Sequence, residues 1–297
     1  MNQYREIQEA IEKVFDKQIF FITGVLKSGT TWVQFLLDAH PEICCRGEGH
    51  FIDTLYPGLA KTFQAYNRKS LNRNREFEDR GIKGDCPRYS AEQVNHIFAT
   101  AVGLVFVQWA GGSDVKCIGE KTPENARALD FLATTIPTSK FIHIIRDGRD
   151  AAVSTWILND QTAREFQLKK FPNFNLFIEH FAKTWQAHLS EMLKFGAANP
   201  DRYLAFHYED LHRKPEPTVR ALFEFLDVDA GDDVVTECTH AASFERLTGG
   251  RKIGQEQTGA HMRKGVVGDW RNHFDDTSRA IFRQHAGDLL KQLGYDD

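Results

Sequence analysis

The passage from residue 19 to residue 39 limits most tightly what this chain can fold into. Ile19, Phe20, Phe21, Ile22 and Thr23 form a short β-branched and aromatic run. The chain then crosses Gly24-Val25-Leu26-Lys27-Ser28-Gly29-Thr30 and enters an apolar repeat of helical period at Thr31. A strand that feeds a helix through a tight loop is the opening of a βαβ unit, and such units require a parallel sheet with helices on its faces. The pattern recurs. Further apolar strand runs lie at residues 115–118, 141–145 and 203–207, and helical periodicity is read at 31–39, 125–136, 150–158, 174–198 and 218–226. This alternation predicts an α/β fold, a central parallel sheet flanked by helices. Residues 1–15 alternate charged and apolar side chains at helical spacing and predict a leading amphipathic helix rather than a secretion signal. Pro215 and Pro217 mark a helix start and Gly294 a helix stop.

Composition removes several classes. Of 297 residues, 41% are hydrophobic and 26% charged, which suits a globular chain with a substantial core. A formal net charge of -4 argues against broad nucleic-acid binding, which needs a basic surface to displace counterions. The longest apolar run, residues 101–110, is interrupted by Gly103 and Gln108 and is too short for a membrane span. The five cysteines, with Cys44 and Cys45 adjacent, form neither a disulfide framework nor a metal knuckle, and reduced thiols in a cytoplasm are expected. No low-complexity linker is present, so residues 1–297 are expected to form a single domain, with the glycine-rich stretch 248–268 as a long functional loop. The sequence does not set an oligomeric state.

The loop after the first strand is suited to phosphate or sulfate oxygens. Backbone N–H groups at the start of a helix face such a ligand with the positive end of the helix dipole behind them. Ser28, Thr30 and Thr31 add hydroxyls and Lys27 adds a charge. Spacing separates this loop from a nucleoside triphosphate loop of the form GxxxxGK[ST]: Gly24, Gly29 and Thr31 match, but Thr30 stands where the lysine belongs. A second anion position is implied where the run 141–145 delivers Arg146 to its carboxyl end, the edge at which open parallel sheets bind ligands. Ser154 lies on the following helix. Pairing of Arg146 with Asp147 or Asp150 is the alternative. Near the C-terminus, Arg263-Lys264-Gly265-Val266-Val267-Gly268-Asp269-Trp270 sets two cations before glycines that let a backbone wrap an anion.

The segment Lys27-Ser28-Gly29-Thr30-Thr31-Trp32 resembles, residue for residue, the 5'-phosphosulfate loop of sulfotransferases that use 3'-phosphoadenosine 5'-phosphosulfate (PAPS). Arg146 to Ser154 resembles their 3'-phosphate site, and residues 263–270 resemble their RKGxxGDW motif. The motifs occur in family order from residue 19 to about residue 274, with features of both cytosolic and tyrosylprotein-type members. The resemblance implies the P-loop-like sulfotransferase fold, PAPS as co-substrate with 3'-phosphoadenosine 5'-phosphate (PAP) as product, and no metal. It places Lys27, Ser28, Gly29, Thr30 and Thr31 on the 5' end, Trp32 on adenine, and Arg146, Ser154, Arg263, Lys264 and Gly265 on the 3'-phosphate. It also suggests that Ser154 restrains Lys27. Tyr208 and Phe244 resemble adenine-pocket positions, although Ala242 stands where cytosolic relatives carry threonine.

The base is less plainly written. Cytosolic relatives carry a catalytic histidine in a KTH segment, and the similar stretch here, Glu120-Lys121-Thr122-Pro123, has proline in that place. The segment containing Glu48 resembles that in which tyrosylprotein sulfotransferases carry a glutamate base, so Glu48 is the first candidate, with His50 and Glu120 in reserve and Lys121 as charge stabiliser. Pairing of Glu48 with Arg46 is the plainer alternative. Residues 51–109 hold Phe51, Tyr56, Phe63, Tyr66, Tyr89, Phe98 and Trp109 for an acceptor pocket or a core, and Arg68, Lys69, Arg73 and Arg75 for an anionic glycan or a solvated face. A small molecule, glycan or peptide remains open as acceptor. A small-molecule kinase and a non-catalytic PAP-binding protein are the competing readings.

Overall fold

The computed structural model describes residues 2–257, 260 and 262–295. Met1 of the expected leading helix, and Thr258, Gly259 and His261 of the expected loop, lie outside them. In chain order the elements are α1 (Asn2–Phe15), β1 (Gln18–Thr23), α2 (Thr30–Asp38), β2 (Ile43–Gly47), α3 (Tyr56–Asp79), α4 (Ala91–Ala110), β3 (Cys117–Lys121), α5 (Leu129–Thr135), β4 (Lys140–Ile145), α6 (Gly148–Thr162), α7 (Arg164–Lys170), α8 (Phe174–Ala198), β5 (Tyr203–His207), α9 (Tyr208–Arg213), α10 (Pro215–Leu226), α11 (Asp232–Ala241), α12 (Phe244–Leu247) and α13 (Asp276–Gln292).

Five strands form one parallel sheet in the order β2-β3-β1-β4-β5. Apolar residues on β1 alternate between its faces, with Ile19 and Phe21 in one hydrophobic cluster and Phe20 and Ile22 in another. Both faces are therefore covered, which is why β1 is apolar throughout instead of alternating with polar residues. Phe98, Val102 and Phe106 of α4, Trp185 and Leu189 of α8 and Phe282 of α13 fill the first face. Val33 and Leu37 of α2 and Leu222 and Phe223 of α10 fill the second.

The expected strands and helices at 19–23, 141–145, 174–198 and 203–207 correspond to formed elements, with the remaining differences local. The third strand runs later than the expected 115–118, over Cys117–Lys121. The helix expected at 125–136 is split into a 3-10 turn, Pro123–Arg127, and α5. Strand β2 escaped the sequence reading because its outer half, Arg46 and Gly47, is exposed and carries no apolar side chain. Among the described residues, no helix is long and apolar enough to cross a membrane.

Register decides what meets at the carboxyl edge of the sheet. Ile22 is paired with Lys121, Gly47 with Lys121, and Thr23 with His143. The segments after β1, β2, β3 and β4 therefore emerge side by side. Lys27, Glu48, Lys121 and Arg146, far apart in sequence, are brought to one edge by backbone pairing alone.

Candidate active site

A cavity of about 280 Å³ opens at this edge. Its lining includes Lys27, Gly29, Thr30, Thr31 and Trp32 from the first loop, Arg146 and Ser154 from β4 and α6, Tyr208 from α9, Phe244 from α12, and Arg263, Lys264 and Gly265 from the late loop. Glu48 lines it too. Ser28, Lys121 and the reserve bases His50 and Glu120 are not among its lining residues. Ser28 is buried and its hydroxyl donates to the Val25 carbonyl, which closes the loop's own turn. Lys121 is buried behind the wall and reaches the site through an ion pair with Glu48.

Four cations converge here. Burial lowers the Lys27 ammonium to about 8, and the positive charges of Arg146, Arg263 and Lys121 push in the same direction. Lys27 also holds a left-handed backbone, φ 67, a conformation that costs a side-chain-bearing residue roughly 1–2 kcal/mol. A crowd of like charges and a strained backbone are both unfavourable in an isolated fold; an anion that neutralises the crowd offsets them.

The frame around these cations is built from fixed bonds. Arg146 donates to the Lys27 carbonyl at 2.8 Å and lies 4.3 Å over the Tyr208 ring, while its Nε has no partner. It pairs with neither Asp147 nor Asp150. Asp147 instead binds Arg149, a pair buried on both sides, and Asp150 accepts from the backbone N–H groups of Gly268 at 2.6 Å and Trp270 at 2.9 Å. Asp150 thereby ties the late loop to the helix that carries Ser154. Breaking a buried pair such as Arg149–Asp147 from one side costs about 3–5 kcal/mol, because the remaining charge is stranded.

Arg263 and Lys264 are held by Asp269, and Arg263 also meets Glu256 at 3.1 Å. Burial alone would raise the Asp269 carboxyl, yet its bonds to Lys264 and Arg263 hold it well below the usual range. Glycine is needed at two points of contact. Gly29, at φ 102, and Gly265, at φ 65, sit where a Cβ would lie 2.6 Å from the Tyr208 ring and 2.7 Å from the Phe244 ring. Either side chain would push an aromatic residue out of the cavity wall.

The aromatic end is completed by residues that the motifs did not announce. Trp32 donates from its indole to the Ala242 carbonyl at 2.8 Å, and its ring lies 5.5 Å from Tyr208 and 4.9 Å from His212. Burial and Arg146 lower His212 to about 4, so it is neutral. Thr239 lines the cavity one helical turn before Ala242. Helical spacing was the available signal for both, since His212 follows Tyr208 by one turn.

At the other end, one Glu48 oxygen is paired with Lys121 and the other lies 3.6 Å from His50 Nε2. His50 is in turn bound to Asp53 at 2.9 Å. The expected alternative partner of Glu48, Arg46, is taken by Asp38. Glu120 is fully buried and engaged by three donors. Most aromatic residues of 51–109 serve packing: Phe51 and Phe98 are buried in the core, and Tyr56 and Trp109 pack against it. Tyr89 contacts Phe63 and Tyr66 away from the cavity. Among the described residues no group of acidic, histidine and cysteine side chains is arranged to hold a metal.

A sulfotransferase family model matches residues 19–232. The chain belongs to the sulfotransferase family. It is 26% identical over 284 residues to protein-tyrosine sulfotransferase 2 of Gallus gallus, a match covering 94% of this chain and 69% of that protein. It is 27% identical over 220 residues to protein-tyrosine sulfotransferase 1 of Danio rerio, covering 74% of this chain and 56% of the relative. Human sulfotransferase 1E1 is 26% identical over 168 residues, covering 52% of this chain and 55% of the relative. The chain thus spans little more than half the length of the zebrafish and human relatives. In fold it is similar to mouse sulfotransferase SULT7A1 complexed with PAP, with a TM-score of 0.56 at 17% identity, over 97% of this chain and 94% of that one. A second likeness is to sulfotransferase STF9 from Mycobacterium avium, with a TM-score of 0.55 at 12% identity, over 98% of this chain and 80% of that one.

Proposed function

We propose that this sulfotransferase moves a sulfuryl group from PAPS to an acceptor hydroxyl and releases PAP. The observation that carries the reading is the cavity in which Lys27, Arg146, Arg263 and Lys264 line a cationic, anion-binding surface and Trp32, Tyr208 and Phe244 line an aromatic one. A nucleotide with negative charge at both its 3' and 5' ends matches that pairing of surfaces.

PAPS supplies the activated sulfuryl group; the chain supplies position and charge. Lys27 and the N–H groups at the start of α2 stabilise the charge that grows on the departing 5'-phosphate. Arg146, Arg263 and Lys264, with Ser154, hold the 3'-phosphate. Glu48 accepts the acceptor's proton, and Lys121 keeps the Glu48 carboxylate oriented toward the cavity. The match over most of the chain to protein-tyrosine sulfotransferases, together with a carboxylate in the base position, favours a phenolic or other hydroxyl acceptor presented by a peptide. A small-molecule acceptor is the second reading, favoured by the likeness to sulfotransferase 1E1. All five cysteines are free thiols, which supports a reducing, cytoplasmic setting.

The test is incubation with labelled PAPS and a library of tyrosyl peptides, glycans and phenols, read by mass spectrometry. A gain of one sulfate on a peptide tyrosine is expected. Binding of PAP without sulfation of any member would replace the enzyme with a nucleotide-binding protein.

A further inference from the structure

Glu120 is a fully buried carboxylate at the sheet edge that the proposed chemistry does not use. It is the penultimate residue of β3, beside Lys121, and its side chain turns toward the loop that follows β2. One oxygen accepts from the backbone N–H of Gly49 at 2.9 Å and from the Thr122 hydroxyl; the other accepts from Asn125 Nδ2 at 2.6 Å. Burial raises its carboxyl, and these three donors oppose that shift.

The bond to Gly49 is the informative one. Gly49 lies between Glu48 and His50, and His50 has a left-handed backbone, φ 48, that would not be held in place by its own preference. Gly47, on the other side of Glu48, sits where a Cβ would be 3.1 Å from the Lys121 side chain. Neighbouring residues of one strand therefore hold the Glu48 segment twice: Lys121 grips the side chain and Glu120 grips the backbone one residue on. A carboxylate on a free loop would swing about its backbone; with its next N–H fixed to a buried, rigid strand it cannot.

We propose that Glu120 is a positioning residue that sets where the Glu48 carboxylate stands in the cavity, and that it does so by the reach of its side chain to the Gly49 N–H rather than by exchanging protons with substrate. The proposal rests on the reading of Glu48 as base.

Two substitutions separate reach from acidity. Glu120→Asp keeps the acid but withdraws it by about 1.5 Å, one carbon–carbon bond, from Gly49. Glu120→Gln keeps the reach and an acceptor oxygen; Asn125, whose Oδ1 is without a partner, can turn to receive the new amide. Steady-state sulfation and calorimetric titration with PAP are measured on both, with Glu48→Gln alongside. The expected result is turnover about tenfold or more slower in Glu120→Asp than in Glu120→Gln, with PAP affinity unchanged in both, since a misplacement on the ångström scale costs up to about a hundredfold in rate. Faster turnover in Glu120→Asp than in Glu120→Gln would overturn the proposal by making acidity the requirement, and a loss of PAP affinity parallel to the loss of turnover would overturn it by making the role general to the fold. Full activity in Glu48→Gln has a separate meaning: it removes Glu48 as base whatever Glu120 does.

Discussion

The two ends of the cavity are built differently. At the nucleotide end, each part is held by a named partner: the Arg146 side chain by the Lys27 carbonyl, the backbone of the late loop by Asp150, and the Arg263 and Lys264 side chains by Asp269. At the other end, one carboxylate is set by β3, and residues 56–110 are mainly two long helices, with Phe98 and Phe106 buried in the core. Binding a charged nucleotide demands particular residue types at fixed backbone positions, whereas shaping an acceptor surface distributes the task over many side chains. The first leaves a local pattern in sequence and the second does not.

If the division is real, substitutions at one end spare the other. The largest effect is expected for Glu48→Gln, which should lower turnover by about 10²–10⁴-fold, the usual worth of a positioned base, with PAP affinity within about twofold of the parent. Parallel kinetics and calorimetry check it, and a large loss of PAP affinity would erase the boundary between the ends. Arg263→Ala should weaken PAP binding by about 10–100-fold, since a charge-assisted bond to phosphate is worth roughly 1.5–3 kcal/mol. An unchanged dissociation constant would remove Arg263 from the site.

A third effect is set by pH. Lys27 is lowered to about 8 in the free protein, and a bound polyanion favours its protonated form and raises it again. Affinity is therefore complete below the free value and falls as pH rises through it. PAP should bind about tenfold more weakly at pH 9 than at pH 7, and Lys27→Met should flatten that slope. A slope that survives the substitution would assign it to another group. The smallest effect is expected away from the cavity. Asn74 holds Cys86 through both its backbone N–H and carbonyl, so Asn74→Ala should lower the Tm by about 2–4 °C without altering PAP affinity.

Legibility in the sequence follows the same division. The strand and loop at 19–31, the strand ending at Arg146 and the run from Arg263 to Trp270 were readable because apolar periodicity and charged residues coincide there. Strand β2 was not, since two of its five residues, Arg46 and Gly47, are exposed and break the apolar run. The contact of the Ser28 hydroxyl with the Val25 carbonyl, which closes the loop's turn, is not displayed by composition. His212 and Thr239 lie outside every motif and reach the cavity only because their helices pack against Trp32 and Phe244. The pairing of Glu48 with Lys121 depends on the register of β2 against β3, which no local pattern encodes.

One cavity is expected to recognise a nucleotide carrying anions at both ends. Calorimetric titration with PAP, with adenosine 5'-phosphate and with ATP in magnesium measures it directly. PAP is expected to bind about tenfold or more tightly than adenosine 5'-phosphate, because the proposed 3'-phosphate contacts of Arg146, Arg263 and Lys264 are lost without that group. Equal affinity for the two, or preference for ATP with magnesium, would contradict it.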